Sequence, residues 1–313
     1  MNARPSRPSW RAVHGVLLLD KPLGLTSNHA LQRARRLLRA EKAGHTGTLD
    51  PLADGLLPIC FGAATKFAQA CLDADKRYRA TLALGERTAS GDRETAVIER
   101  RPVSVDRVAI DEVCRRFTGP IDQVPPMHSA LKKDGKALYD YARAGVELQR
   151  ESRRVTIHRI DVLAWQGTEL TLDVHCSKGT YVRTLADDIG LALGCGAHLS
   201  ALRRTEVGRL HVAQAVTPEA LDALDEGQRD ALLKPLDCLL ADWPVVRLGA
   251  ADAGRFLSGL RRRIDGDDAA GVRVYGTAPD AFLGSAHISA GELIADRLLS
   301  PLEVQATLAN EPA

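Results

Sequence analysis

Residues 44–51 read GHTGTLDP, and the chain continues LADGLLPICFGAATKF to Phe67. Gly, Thr, Asp and Pro are turn residues, and a residue before Pro is driven toward extended or turn geometry, so the first eight positions read as a loop. In an ordinary surface turn Asp50 bonds nearby backbone N–H groups and His45 is solvated. A second reading, in which the apolar run anchors the loop in the core and Asp-Pro fixes a carboxylate at the end of the turn, needs more than these eight residues to outweigh the ordinary turn.

The flanking sequence supplies a scaffold. Upstream, GVLLLDKP (15–22) is a short apolar run ended by Lys-Pro, a buried strand entering a loop. In TSNHALQRARRLLRA, Thr26, Ser27 and Asn28 offer N-caps, and Ala30, Leu31, Ala34, Leu37 and Leu38 recur at helical spacing. Arg33, Arg35, Arg36 and Arg39 occupy the polar face of that helix. Downstream, ATKFAQACLDA reads as a helix, and KRYRATLALGERT alternates Tyr78, Ala80, Leu82 and Leu84 against Arg77, Arg79, Thr81 and Ala83 as a strand does. SVDRVAIDEVCRRFTG is an amphipathic helix that Gly119-Pro120 stops. A loop and a helix with basic and aromatic residues follow in PPMHSALKKDGKALYDYARAGVEL, then two strands, RRVTIHRIDVLAWQG and TELTLDVHCSKGTYVRTL. VRTLADDIGLALGCGAHLSALRRTEVG adds a helix, a Gly-rich turn and a strand. Strands and helices mix without a repeated βαβ period, which predicts an α+β fold with a largely antiparallel sheet and flanking helices.

Thr217-Pro218-Glu219 opens an acidic connector over 217–242, with Pro at the first helical position. Beyond Trp243 the chain shortens into the strand-like pieces PVVRLG, GVRVYGTAPDAFLGSAHIS and ADRLLSPL. Two domains are therefore expected, a larger one over 1–242 and a small β-rich one over 243–313.

Composition narrows the function classes. The 313 residues are 45% hydrophobic and 26% charged, as expected of a soluble folded chain. No apolar run reaches membrane-spanning length, and no apolar segment follows the basic start MNARPSRPSWRAVHG, so neither a membrane span nor a signal peptide is expected and the cytoplasm is the expected location. Six cysteines lie far apart with no C-x-x-C pair and read as reduced core thiols. His175 and Cys176 are adjacent on a strand, point to opposite faces and form no nucleophilic dyad. The net charge is only +2, but positions 4 to 42 carry nine Lys or Arg against two acids, whereas 218–243 carries seven acids against two bases. The basic lobe is either a solvated helix face or a surface for a nucleic-acid backbone.

Five blocks taken together, GVLLLDKPLGLTSN, GHTGTLDPLADGLLPICFGAATKF, DKRYRATLALGERTASGD, MHSALKKDGKALYDYAR and CSKGTYVRTLADDIG, resemble the TruB family of tRNA pseudouridine synthases, in the family's order and over about 14 to 215. The resemblance implies the pseudouridine synthase fold, a PUA-like RNA-binding domain at 243–313, and isomerisation of uridine 55 in the T arm of tRNA to pseudouridine. It further implies a monomer that uses neither cofactor nor metal. The family's catalytic Asp falls on Asp50, and its Arg partner, which keeps that carboxylate ionised, falls on Arg183. Tyr78 matches the aromatic that stacks on the target uracil and lies near the proton that is lost. His45 matches the residue that enters the T loop as the base flips out, Tyr181 a second pocket aromatic on the same strand face as Arg183, and Leu202 an apolar residue beside the base. Lys21 and Pro22 match a Lys-Pro pair beneath the active-site loop. His128 stands where many relatives have Tyr. A noncatalytic tRNA-binding or tRNA-folding protein is the competing reading, and retention of Asp50 weighs against it. A phosphoryl-transfer hydrolase lacks both a P-loop Lys-Ser/Thr ending and a second acidic ligand block.

Overall fold

The computed structural model describes residues 9–129 and 131–308; the start of the chain, read above for a leader segment and holding Arg4 and Arg7, lies outside the described residues. In chain order the elements that matter here are β1 (Gly15–Lys21), α1 (Ser27–Leu37), β2 (Ala43–His45), β3 (Ala53–Phe61), β4 (Lys76–Leu84), α2 (Arg107–Arg116), β5 (Gly119–Gln123), β6 (Arg153–Gln166), β7 (Glu169–Cys176), α3 (Val182–Ala192) and β8 (Ala197–Val207). After them come β9 (Val245–Leu248), β10 (Arg262–Arg263), β11 (Ala269–Thr277), β12 (Asp280–Ser289) and β13 (Glu292–Leu298). The chain forms two compact units. One comprises Met1–Asp50, Leu56–Leu72 and Gly208–Ala313, the other Pro51–Gly55 and Asp73–Val207.

In the first unit β1 and β2 both pair with β3, β2 antiparallel with Ala43 opposite Phe61 and His45 opposite Ile59. Leu56, Leu57, Ile59, Cys60 and Phe61 are fully buried, so the apolar run is the anchor its composition predicts. Of the three N-cap candidates for α1, Thr26 is used: its hydroxyl accepts from the His29 N–H at 3.1 Å. Ala30, Leu31 and Ala34 face the core. The basic face of α1 meets the acidic connector. Arg33 pairs with Glu219 at 3.0 Å and with Asp222, Arg39 pairs with Glu226, and Arg11 reaches Asp230 at 2.7 Å. Of the two readings left open for this face, neither holds in full, because much of its charge is answered within the unit by part-exposed pairs, while Arg36 stays exposed. Such part-exposed pairs contribute about 0–1 kcal/mol each and fix register more than stability.

The C-terminal sheet of this unit runs β9-β11-β12-β13-β10, the β-rich piece expected from the short strands and consistent with the PUA-like domain that the resemblance implies. Phe282 on β12 packs on Tyr275 and on Phe67, with ring centroids 5.5 and 5.2 Å apart.

The second unit is a sheet in the order β8-β4-β7-β6-β5, antiparallel throughout, with residues 53–55 of β3 added parallel to β8 at its edge. The mixed, largely antiparallel α+β fold expected from the sequence is thus present. Ala80, Leu82 and Leu84 of β4 join Leu170, Leu172 and Val174 of β7 in one core, which Val182, Leu185, Ala186 and Ile189 of α3 cover. Each of these buried Leu, Val and Ile side chains contributes about 1.5–3 kcal/mol. The packing of α3 is close: a Cβ on Gly190 would stand 2.1 Å from the Ala197 nitrogen, so only glycine fits there. All six cysteines are free thiols. Burial pushes the Cys176 thiol up to about 12, in keeping with its exclusion as a nucleophile. Among the described residues no helix is long and apolar enough to cross a membrane.

Candidate active site

The loop that carries Asp50 is held on both sides. At its start, just past the end of β2, the Thr46 N–H donates to the Pro58 carbonyl at 3.1 Å, and Cys71 Sγ lies 3.2 Å from Thr46 Oγ1. At its end, Ser27 in the first turn of α1 exchanges two hydrogen bonds with Leu49: its hydroxyl donates to the Leu49 carbonyl at 2.9 Å and accepts from the Leu49 N–H at 2.8 Å. Asp50 follows directly. Between the two anchors Gly47 adopts φ +94°, which an L side chain rarely takes. Gly44 lies inside β2 with an ordinary extended backbone, so of the two glycines expected to bend this loop only Gly47 does so. His45 ends β2 at the mouth of the loop.

Lys21 lies below the neighbouring turn. It is 0% exposed, and its ammonium donates to the Pro22 carbonyl at 3.0 Å and the Leu25 carbonyl at 2.7 Å. A buried cation that bonds these two backbone carbonyls acts as a staple for the segment 22–25, which leads directly into α1 and its Ser27 clamp.

In the second unit Arg183 is nearly enclosed. One guanidinium nitrogen donates to Asp92 Oδ2 at 3.1 Å and another to the His128 carbonyl at 2.6 Å. Asp92, with 1% of its side chain exposed, accepts further from Ser90 Oγ at 2.5 Å and from the Glu94 N–H at 3.0 Å. The planar fork of Arg183 is therefore aimed by a fixed carboxylate and a fixed carbonyl. His128 takes part through its backbone carbonyl, a contact that does not depend on its side chain. Asp92 was not legible as a site residue: GERTASGD carries it without any local pattern, and its partner lies 91 positions away.

Tyr181 and Arg183 are not on a strand, contrary to the Tyr-x-Arg reading. The strand stops at Cys176, Gly179 turns the chain at φ +79°, Tyr181 is the N-cap of α3 and Arg183 lies in its first turn. The helical spacing of Val182, Leu185, Ala186 and Ile189 decides the local structure over the strand-like TYV. Gln123, at the end of β5, fixes the Tyr181 backbone by accepting from its N–H at 3.0 Å and donating to its carbonyl at 3.3 Å.

Tyr78 on β4 stands opposite Arg204 of β8, and Leu202 stands opposite Ala80 one step along. Positions two apart on a strand share a face, so Tyr78 and Leu202 are diagonal neighbours, both half-buried against the unit's core. Arg204 is 1% exposed, the largest fully buried side chain among the described residues, and nothing in LRRTEVG distinguishes it from Arg203, which is half-buried and paired with Asp54 at 3.2 Å. A groove of about 420 Å³ in the same unit is lined by Pro125, Leu131, Lys132, Lys133, Leu138 and the segment 149–153, which includes Arg150 and Arg153.

The chain matches two family models: TruB family pseudouridylate synthase (N terminal domain) over residues 35–182, and tRNA pseudouridylate synthase B C-terminal domain over 183–241. It is similar to tRNA pseudouridine synthase B of Cupriavidus pinatubonensis, with 58% identity covering 95% of this chain and 98% of that one. To the protein of the same description from Verminephrobacter eiseniae it is 55% identical, covering 99% and 96%. In fold it resembles a solved Cbf5-Nop10-Gar1 complex with a TM-score of 0.70 at 24% identity, covering 97% of this chain and 93% of that one. An H/ACA RNP bound to a substrate RNA containing 2'-deoxyuridine gives a TM-score of 0.69 at 24% identity, covering 92% and 86%.

Proposed function

Because the chain belongs to the TruB family of pseudouridylate synthases, we propose that it isomerises uridine 55 in the T arm of tRNA to pseudouridine, in the cytoplasm and without a cofactor. In this reaction the N1–C1′ bond breaks, the uracil turns, C5 bonds to C1′, and the hydrogen of C5 is lost as N1 gains one. Nothing is oxidised or reduced.

The observation that carries this reading is the double clamp of the 46–50 loop, with Ser27 gripping Leu49 and Pro58 gripping Thr46. A carboxylate that acts at C1′ gains most of its advantage from being held in position before the substrate arrives. Asp50 is that group in our assignment. Arg183, its fork aimed by Asp92 and the His128 carbonyl, is the cation that keeps the carboxylate ionised. Tyr78 is the surface on which the flipped uracil stacks, with Leu202 beside it and Tyr181 as the second aromatic, and His45 fills the place the base leaves. The 243–313 domain and the Lys- and Arg-lined groove bind the RNA backbone, so affinity falls steeply with salt.

The test uses an unmodified tRNA transcript tritiated at uracil C5. Tritium release mapped to position 55 supports the assignment. Binding without release by folded protein sinks it in favour of a noncatalytic tRNA-binding role. Release from another uridine overturns the position alone.

Tyr78→Leu separates stacking from binding. The half-buried site accepts an apolar side chain, so the fold holds. Losing an aromatic platform is worth about 1–3 kcal/mol per base, and the flipped state bears that loss. Single-turnover release is expected to fall about tenfold to a hundredfold, with tRNA affinity by filter binding changed less than about threefold.

A further inference from the structure

We propose that Asp75, His158 and His175 form a binding site for one divalent transition-metal ion of the Zn²⁺ type, apart from the isomerisation chemistry. The ligand atoms of these three side chains lie within 4.8 Å of one another. Two imidazole nitrogens and a carboxylate oxygen are a donor set that zinc accepts, with water completing the tetrahedron. All three residues belong to the second unit, and the half-exposed position leaves room for that water.

The backbone brings them together. β6 and β7 pair antiparallel with Ile157 opposite Cys176 and Arg159 opposite His175, so His158 is the extra residue of a bulge. A bulge re-aims its side chain, and here it turns His158 toward His175, with ring centroids 4.8 Å apart. Asp75 enters from the turn before β4, its Oδ2 3.1 Å from His158 Nε2. That turn is itself held, since Lys76 Nζ donates to the Ala74 carbonyl at 2.6 Å and Lys178 Nζ to Asp73 at 2.8 Å. Two of the three donors thus sit on paired strands and the third on a pinned turn, which limits the movement needed to close on a metal.

The surrounding charge does not oppose a cation. His175 is flanked by Arg77 and Arg159 on the neighbouring strands. Arg77 is bound by Asp173 at 2.6 Å and Glu206 at 3.2 Å, and Arg159 by Asp161 at 2.6 Å. With Lys76, Lys178 and Asp73 of the pinned turn included, cations and carboxylates balance before Asp75 is counted.

The site departs from the metal-free chain expected from sequence. Its three ligands are far apart along the chain and follow no ligand-spacing motif.

The experiment is a zinc titration of the tag-free, chelator-stripped full chain against a chromophoric competitor, repeated with His158→Gln, His175→Gln, Asp75→Asn and the double His variant. Circular dichroism confirms that each is folded. One equivalent of Zn²⁺ is expected for the wild type, at least about tenfold weaker binding in each single variant, and none in the double variant. Bound Co²⁺ should show no thiolate charge-transfer band, distinguishing this site from the cysteines. Uptake unchanged in the folded double variant, or no wild-type uptake tighter than about 100 μM, overturns the proposal.

Discussion

Asp50→Asn is expected to lower tritium release from the labelled tRNA by about 10⁴-fold or more, the scale seen when an acting nucleophile or its base is removed, while tRNA affinity changes less than about threefold. The structure separates these effects. Both clamps on the loop use residues other than Asp50: Ser27 bonds the Leu49 backbone and Thr46 bonds Pro58. An isosteric amide therefore leaves both clamps in place and removes the charge and basicity of the carboxylate. Asp50→Ala, measured alongside, guards against slow hydrolysis of the introduced amide. Release by Asp50→Ala within tenfold of wild type would remove Asp50 from the mechanism. Lost tRNA binding in both variants would instead make it a structural residue. Ser27→Ala tests the clamp in the opposite sense, since it leaves the carboxylate and frees its support.

Arg183→Met is expected to give the largest loss of stability. The Arg183 and Asp92 side chains are 8% and 1% exposed, and removing one member of a buried pair leaves an uncompensated charge at a cost of about 3–5 kcal/mol. Urea unfolding of the second unit, followed by a probe placed within it, should move accordingly. Adding Asp92→Asn to Arg183→Met should recover a substantial part of that loss, because the stranded carboxylate is gone, while turnover stays low for want of the cation. Additive losses in the double-mutant cycle would show that the two side chains act independently. An Arg183→Met protein with wild-type turnover would remove Arg183 from the active site.

Both predictions join residues of unequal legibility. Asp50, Tyr78 and Lys21 stand in contiguous blocks, and their surroundings are written in local patterns: an apolar run after a turn, a period-two strand, a Lys-Pro stop. The α+β class follows from the same local signals, because alternation and helical spacing arise within a few residues and fix which faces are buried. Tyr181 and Arg183 show the limit of that logic. A short TYV segment reads as strand, and the helical spacing of the following turns outweighs it.

Local pattern thus carried most of the elements and, through the five blocks, the family, but not the state of Tyr181, Arg183 or His45. The tertiary structure alone decided the partners. Asp92 finds Arg183 across 91 positions, Ser27 finds Leu49 across 22, and Arg33 finds Glu219 across 186. The physical reason is common to all three. A hydrogen bond or an ion pair depends on distance in space, and nothing in the local spacing of either partner records which distant segment the fold will bring beside it. The bulge that turns His158 toward His175 and Asp75 belongs with them, since it exists only once β6 and β7 are in register.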